Sequence, residues 1–345
     1  MGGRGIGKTY SVCHTILEDY LKEGKRGAYI RRYEEEITPK NIAALFSPHR
    51  DLIIELSGGR YNDISYRAKE WHLCFTDDEG KIVEKDPTAF CIAAAINTWM
   101  TTKGQDRGEV NTILFDEFLI REQYLKDEFV DFMNVVSSLI RDRDGAVIYC
   151  LANTVSKYSP YWKEFGIEGV ETMEQGEIRV YQYGDSELTL AIEYCADVSA
   201  TDKVASKYFA FDNPRLQMVS AGRWEILDYD RLPRGKRIYD DDVKYRFYID
   251  FNGHLLCGKI VKDKSELFIF FHEQTKDIKI DSRTIIYTMK PTTEICHVHF
   301  LKDCPTPVHK LIKDLIMKKA VFVADNEVGE VFRTWCIETQ NIKLW

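Results

Sequence analysis

The sequence predicts an α/β protein with two domains, the first built on a central, mostly parallel sheet and the second of the α+β type. A glycine-rich turn at residues 2–9 stands directly before apolar residues at helical spacing. Apolar runs at 27–32, 112–117 and 145–153 each end in polar residues, and a helical pattern lies between the last two. After about residue 241, several strands follow one another directly before helical patterns appear.

Composition limits the class of protein. The chain has 345 residues, which is long for one domain, and its 44% hydrophobic and 30% charged residues exclude a mainly disordered state. With 47 basic and 55 acidic residues the net charge is -8, so any contact with nucleic acid must be local. No membrane-spanning apolar run or signal peptide is recognisable in the sequence. We therefore expect a cytoplasmic protein whose cysteines stay reduced.

The turn at residues 2–9 fits the phosphate-loop pattern G-x-x-x-x-G-K-[ST] at every fixed position. Glycines let backbone N–H groups turn towards a phosphate, Lys8 reaches the β- and γ-phosphates, and the Thr9 hydroxyl is a magnesium ligand. The helix that follows directs the positive end of its dipole at the anion. The residues expected to bind the nucleotide are Gly2, Gly3, Arg4, Gly5, Ile6, Gly7, Lys8, Thr9 and Tyr10.

The start of the chain departs from the usual context of such a loop. A phosphate loop is expected to follow a buried strand, yet only Met1 precedes the turn in this sequence. We therefore expect weak order at this end, weakened nucleotide binding, and a sequence that lacks the strand belonging before Gly2.

A second motif follows about a hundred residues later, where an apolar strand ends in Asp116 and Glu117. This arrangement is typical of a Walker B strand. Asp116 is expected to hold Mg²⁺ together with Thr9, and Glu117 to act as general base on the attacking water. The alternative is a buried strand that merely ends in solvated acids.

Further polar residues at strand and helix ends are candidates for catalysis. Asn153 is expected to sense the γ-phosphate or to hold the water. Arg141, favoured over Arg143, either stabilises transition-state charge in a neighbouring subunit or simply favours its helix end and solvent. Arg4 is a candidate for stabilising the same charge within its own subunit. Arg31 and Arg32 either meet phosphate or form a solvated strand end.

The second half predicts a domain 241–345 after a linker at 205–240, with 1–204 as the first domain. The linker has a basic segment, 231–237, that is either a local site for phosphate backbone or a solvated hinge. Strands followed by mixed strands and helices suggest a ribonuclease-H-like fold. Asp250 and Asp325 are candidate metal ligands, but no third acid accompanies them, which favours a vestigial nuclease domain kept for binding.

The motifs at 3–9, 29–33, 116–118, 120–122 and 141–143 occur in the same order as in a known family. In these residues the chain resembles the DNA-packaging (encapsidation) ATPases of small phi-29-like tailed bacteriophages, which are related to the large terminases among the ASCE-type P-loop ATPases.

The resemblance implies a pentameric motor that uses ATP and Mg²⁺ to drive double-stranded genomic DNA into a procapsid. The motor would dock on the portal, bind a phage-encoded RNA there, act in the host cell cytoplasm and be absent from the mature virion. By motif, the loop lysine, the Walker B acids and the arginine acting in trans correspond to Lys8, Asp116, Glu117 and Arg141.

Two other functions compete with the motor. One is a terminase with an active metal-dependent nuclease, which would require Asp250. The other is a nucleotide-gated structural adaptor at the portal vertex that hardly turns over, against which Glu117 argues because an adaptor needs no general base.

Overall fold

The structure is a computed structural model that divides into two compact units. The first unit is Met1–Lys157 with Gly169–Trp224, and the second is Tyr158–Glu168 with Glu225–Trp345. The described residues are 1–3, 5–102, 110–121, 124–141, 145–155, 159–185, 187–196, 227–288, 297–298, 304–340 and 342.

These units differ from the predicted domains at two places. Residues 205–226 of the predicted linker lie outside the described residues, and the described part, 227–240, belongs to the second unit. Residues 158–168, assigned by the sequence to the first domain, also belong to the second unit. Tyr161 and Trp162 are buried there, which their aromatic side chains favour.

The first unit contains both helices and strands along the chain. Its elements are α1 (Lys8–Glu23), β1 (Arg26–Arg31), α2 (Pro39–Ile42), α3 (Arg50–Leu56), β2 (Asp63–Arg67), β3 (Glu70–Thr76), β4 (Ile82–Lys85), β5 (Cys91–Ala95), β6 (Val110–Asp116), α4 (Glu128–Ile140), β7 (Val147–Leu151), β8 (Ile178–Gln182) and β9 (Thr189–Glu193).

The main sheet of this unit has the order β2-β3-β5-β1-β6-β7, with β4 paired to β3. β1 runs parallel to both β5 and β6, and β6 runs parallel to β7. The pairs of β3 with β2, β4 and β5 are antiparallel. The central strands are therefore parallel, as the sequence predicted, and their apolar side chains are buried because such strands are covered on both faces.

The beginning of the chain lies beside the carboxyl end of β7. The Gly2 amide donates to the Ala152 carbonyl at 3.2 Å, and Gly2 and Asn153 form a parallel bridge. On its other side, the Met1 ammonium donates to the Glu193 carbonyl at 2.8 Å, and the Cys195 amide donates to the Met1 carbonyl at 2.8 Å. Met1 and Gly2 are thus held between the ends of β7 and β9, directly before the glycine-rich turn.

The second unit contains a mixed sheet with the order β14-β13-β10-β11-β12-β15. The elements are α5 (Pro160–Glu164), β10 (Val243–Phe251), β11 (His254–Asp263), β12 (Glu266–Glu273), β13 (Ile286–Thr288), β14 (His297–Val298), α6 (Pro307–Met317), β15 (Val321–Val323) and α7 (Asn326–Gln340). β10, β11 and β12 are antiparallel neighbours, and β13 pairs in parallel with β10.

The second unit thus begins with consecutive strands and continues with mixed strands and helices, as the sequence predicted. The predicted tight turn between the first two strands is confirmed, since Asn252 and Gly253 both have positive φ, 49° and 81°. The core of the unit is aromatic, with Phe247, Phe271 and Trp335 fully buried between the sheet and the helices. Among the described residues, no helix has the length and apolar character needed to span a membrane.

Gly27 sets how closely α1 packs on the sheet. A Cβ atom at Gly27 would lie 2.5 Å from the Cγ2 atom of Ile16, which is fully buried on α1. We expect Gly27→Ala to push α1 away from β1 and to lower the free energy of unfolding by about 1–3 kcal/mol, as overpacking in a dense core does. Urea unfolding of this variant beside Lys25→Ala, an exposed neighbour, would measure the loss. Equal stability of the two variants would contradict this packing.

Candidate nucleotide-binding and hydrolysis site

The glycine-rich turn has the backbone that its sequence requires. Gly5 and Gly7 have φ values of 79° and 85°, a left-handed conformation that side chains with a Cβ rarely adopt. α1 begins at Lys8, directly after Gly7, and has no acidic residue in its first turn. The positive end of this helix is therefore not neutralised locally and faces the turn. Arg4 lies outside the described residues.

A cavity of about 360 Å³ opens at this turn. It is bounded by the turn itself, by the carboxyl end of β6 and by the carboxyl end of β7. Its lining residues are Gly5, Ile6, Gly7, Lys8, Thr9, Tyr10, Asp116, Glu117, Ala152 and Asn153. The structure thus brings most of the described candidate site residues to one cavity.

Lys8 lies between the turn and the end of β7. Its Nζ donates to the carbonyls of Gly3 and Gly2 at 2.6 and 3.2 Å and to Asn153 Oδ1 at 3.2 Å. The parallel bridge between Gly2 and Asn153 holds the two ends of this arrangement together. Asn153 therefore lies beside the lysine that is expected to contact the γ-phosphate, as its predicted role requires.

Asp116 lies next to the hydroxyl that was expected to share a metal with it. The Thr9 hydroxyl donates to Asp116, with oxygen–oxygen distances of 3.3 and 3.4 Å, and the Tyr29 hydroxyl lies 3.4 Å from the same carboxylate. Burial raises the pKa of Asp116 above its usual range, against the opposing effect of Arg31. A buried carboxylate beside a hydroxyl is a set of hard oxygen ligands in need of positive charge, which fits Mg²⁺.

Glu117 has an unusual backbone conformation and a cationic partner. Its φ is 58°, which is uncommon for a residue other than glycine, and its amide donates to Asp116 Oδ1 at 3.1 Å. Its carboxylate pairs with Arg31 at 2.7 Å, although half of this side chain remains exposed. Arg31 also pairs with Glu36 at 2.5 Å and lies 3.9 Å from Asp116.

The two arginines at the end of β1 have different partners. Arg31 faces the cavity acids, whereas Arg32 is 4% exposed and forms an ion pair with Glu128 at 2.7 Å. Neither is a solvated strand end, so that alternative is wrong. Strand alternation was the signal that distinguishes them, because it places Tyr29 and Arg31 on one face and Arg32 on the other. No individual role was predicted from the sequence for Tyr29 or Glu128.

Arg141 lies at the far end of α4. It caps this helix with a φ of 48°, its amide donates to the Ser137 carbonyl, and its side chain is exposed. It is not among the described residues that line the cavity of its own chain. Arg143 lies outside the described residues.

The two candidate acids of the second unit, Asp250 and Asp325, lie in different settings. Asp325 caps α7, where its Oδ1 accepts the Val328 amide at 2.9 Å, and Asp250 is exposed on β10. In the described part of the chain, no group of three or more His, Cys, Asp or Glu side chains is placed to hold a metal ion.

The loop, the acids after β6 and the parallel strand order define the first unit as a P-loop ATPase fold. The family of podovirus DNA encapsidation proteins (Gp16) matches residues 1–201, which is more than half of the chain. The chain therefore belongs to this family, and the resemblance seen in its motifs is confirmed.

Individual relatives agree with this assignment. The chain is 31% identical to the DNA packaging protein of Bacillus phage B103 over 178 residues, covering 48% of this chain and 47% of that protein. It is 27% identical to the DNA packaging protein of Bacillus phage phi29 over 175 residues, covering 48% and 45%. The chain thus spans about half the length of the curated relatives it matches.

Solved structures extend the likeness of the fold over both units. One is described as the Phi-28 gp11 DNA packaging motor, with a TM-score of 0.50, 16% identity and coverage of 97% of this chain and 92% of that chain. The other is the bacteriophage Phi-29 viral genome packaging motor assembly, with a TM-score of 0.50, 18% identity and coverage of 96% and 91%. At these identities the likeness concerns the fold alone.

The raised pKa of Asp116 has a consequence for stability. The Asp116 carboxyl binds a proton more tightly in the folded protein than in the unfolded chain. Its favourable contribution to the free energy of unfolding is therefore present at low pH and is lost as the pH rises through the pKa of the folded state. Asp116→Asn cannot ionise, and we expect its Tm at pH 7 without metal or nucleotide to exceed the wild-type value by about 2–4 °C.

The gain should shrink as pH falls towards 3.8, the ordinary aspartate pKa. Glu117→Gln is the matched control, since it removes an ion pair with Arg31 and should not raise the Tm. Thermal unfolding across this pH range measures both variants. A lower Tm for Asp116→Asn than for wild type at pH 7 would contradict the electrostatic argument.

Proposed function

We propose that the protein is a viral DNA-packaging motor ATPase that hydrolyses ATP to translocate double-stranded genomic DNA into a procapsid through the portal. The observation that carries this proposal is the meeting of Lys8, Thr9, Asp116 and Glu117 in one cavity at the carboxyl edge of a parallel sheet. Membership of the DNA encapsidation family supports the viral role, and the names of the relatives, DNA packaging proteins, support the substrate.

The chain's own residues have separate tasks in hydrolysis. The amides of the turn and Lys8 Nζ bind the phosphates, Lys8 leaving its carbonyl partners for the γ-phosphate. Thr9 and Asp116 would hold Mg²⁺, which would neutralise charge on the phosphate oxygens. Glu117 accepts a proton from the attacking water, which requires its carboxylate to turn from Arg31 towards the cavity. Asn153 helps to orient the γ-phosphate, and Arg4 in the turn adds positive charge.

Assembly completes the site in this proposal. Arg141 is exposed at the end of α4 and is absent from the described lining of its own cavity, which is what an arginine supplied to a neighbouring subunit requires. We propose a homo-oligomer, a pentamer as the family resemblance implies, that acts transiently on the procapsid inside the host cell. Its partners are the portal, a phage-encoded RNA and double-stranded DNA.

The division of labour between the units follows from their sites. We propose that the first unit, predicted as residues 1–204, is the motor domain, and that the second unit, which includes the predicted domain 241–345, is a vestigial nuclease domain that binds nucleic acid or the portal. No described cluster of acids favours an active nuclease. A passive adaptor is disfavoured by Glu117, whose carboxylate has no task in mere binding.

The role of Glu117 is testable by a change of one functional group. We expect Glu117→Gln to lower the ATPase rate by about 100-fold or more, because the amide cannot accept the water proton, while nucleotide binding stays intact. Steady-state ATPase assays with and without double-stranded DNA, and titration with a fluorescent ATP analogue, measure the two effects. DNA should accelerate the wild type.

Glu23→Gln is the control, since Glu23 is an exposed acid whose partner is Lys25. It should leave both the rate and its response to DNA unchanged. A motor function would be refuted by a wild-type rate that ignores DNA together with full activity of Glu117→Gln.

Catalysis shared between subunits predicts complementation. Lys8→Ala and Arg141→Ala should each reduce ATPase activity of assembled protein by about 1,000-fold, the scale at which a trans arginine acts. Mixed before assembly, the two variants should recover part of the activity, because some interfaces then combine an intact Lys8 with a neighbour's intact Arg141.

Mixing Lys8→Ala with Glu117→Gln provides the control, since both residues serve the same subunit's cavity and no interface regains both. ATPase rates across a series of mixing ratios distinguish the cases. Equal recovery in both mixtures, or none in either, would exclude Arg141 as the residue acting in trans.

A further inference from the structure

We propose that Arg32, through its buried pair with Glu128, is a positioning residue that holds the backbone of Glu117 in the conformation needed for general-base catalysis. This inference rests on the proposed ATPase function and assigns a role to two side chains that do not touch the cavity. The contacts of the Arg32 guanidinium join β1, the residues after β6 and the start of α4.

The pair itself is bidentate and almost fully buried. Arg32 Nε donates to Glu128 Oε2 at 2.7 Å and Nη2 donates to Oε1 at 2.8 Å, with both residues 4% exposed. The rings of Phe115 and Tyr124 lie 5.7 and 5.2 Å from the guanidinium carbon. The fork of donors on arginine matches a carboxylate in this geometry, whereas a lysine ammonium does not.

Arg32 also donates to the backbone of the catalytic segment. Nη1 donates to the Glu117 carbonyl at 3.2 Å and Nη2 donates to the Phe118 carbonyl at 2.8 Å. At Glu117 the chain turns through a φ of 58°, a conformation that persists in a residue with a side chain only where its surroundings hold it. The contacts from Arg32 hold the carbonyl side of this turn.

Glu128 fixes the other end of the same segment. Its Oε2 also accepts the Leu125 amide at 2.8 Å, just before α4 begins at Glu128. The ion pair therefore ties the residues directly after β6 to the first turn of α4. α4 in turn ends at Arg141, so the pair also anchors the helix whose far end carries that arginine.

Glu117 is thus held from two directions by consecutive residues of one strand. Arg31 contacts its carboxylate and Arg32 contacts its carbonyl, because neighbouring strand residues point to opposite faces of the sheet. Turning the carboxylate from Arg31 to a water changes only side-chain torsions if the backbone stays fixed. Arg32 supplies that fixed backbone.

Stability alone is a weak reason for such a pair. Burying two charges is costly, and a buried ion pair replaced on both sides by neutral groups of similar size often leaves stability unchanged. Arg32→Met with Glu128→Gln is such a replacement. Methionine retains the contacts with Phe115 and Tyr124, and glutamine retains an acceptor for the Leu125 amide. The double variant removes the ion pair together with the hydrogen bonds from Arg32 to the Glu117 and Phe118 carbonyls.

The test measures the Tm, nucleotide affinity, kcat and KM for ATP of this double variant. We expect its kcat to fall about 100-fold, as small misplacements of a catalytic group do, while its affinity for nucleotide stays within about threefold of wild type. Arg32→Lys keeps the charge beside Glu128 without the planar fork, and its kcat should fall at least about tenfold at unchanged affinity.

Arg26→Met is the matched control, because Arg26 lies at the other end of β1 and its Nε donates to the Ala89 carbonyl. It should keep the wild-type kcat. If the double variant fails to fold, Arg32→Lys decides. A kcat within about threefold of wild type in a folded Arg32 variant overturns the inference. A fall in kcat together with an equal fall in nucleotide affinity overturns it as well.

Failure of the underlying function has its own signature. If the wild-type protein lacks ATPase activity, or if Glu117→Gln leaves that activity intact, the proposed role of Glu117 as general base is refuted. If the wild type is active, Glu117→Gln is inactive and the Arg32 variants are fully active, only the proposed role of Arg32 is refuted.

Discussion

Parallel pairing of β1, β6 and β7 is the constraint from which the site follows. Since these strands run in one direction, their carboxyl ends emerge at one edge, where the glycine-rich turn also lies beside Asn153. The side chains that follow each strand therefore lie close together, whatever the length of the chain segments between the strands. Residues from three separate stretches of sequence share one cavity for this reason.

Charge at that edge is balanced by contacts from neighbouring strands. Asp116 and Glu117 would repel each other if they stood alone, but Arg31 reaches both and Arg32 holds the backbone between them and α4. β1 thereby supplies both Arg31, which pairs with the carboxylates, and Arg32, which binds the backbone that follows them. The acids can be close together because β1 is their direct neighbour in the sheet.

Local motifs were predictable from the sequence, and partners across the sheet were not. The turn from Gly2 to Thr9 and the pair Asp116–Glu117 were recognisable because their chemistry depends on short, fixed spacings. The partners of Arg31 and Arg32 depend on which strand lies beside β1, and Glu128 is far from both in sequence. The placement of residues 158–168 in the second unit likewise depends on contacts distant in sequence, which no local pattern predicts.

Burial of Asp116 links the proposed binding of a metal to protons. A carboxylate whose pKa is raised by burial holds a proton more readily when no cation is present, so protons and Mg²⁺ compete for the same oxygens. The proposed binding of Mg²⁺ between Thr9 and Asp116 would oppose protonation of Asp116, since both cations would use the same carboxylate oxygens. Under the proposed function, metal affinity would therefore fall as the medium becomes acidic, because acid favours the protonated carboxyl.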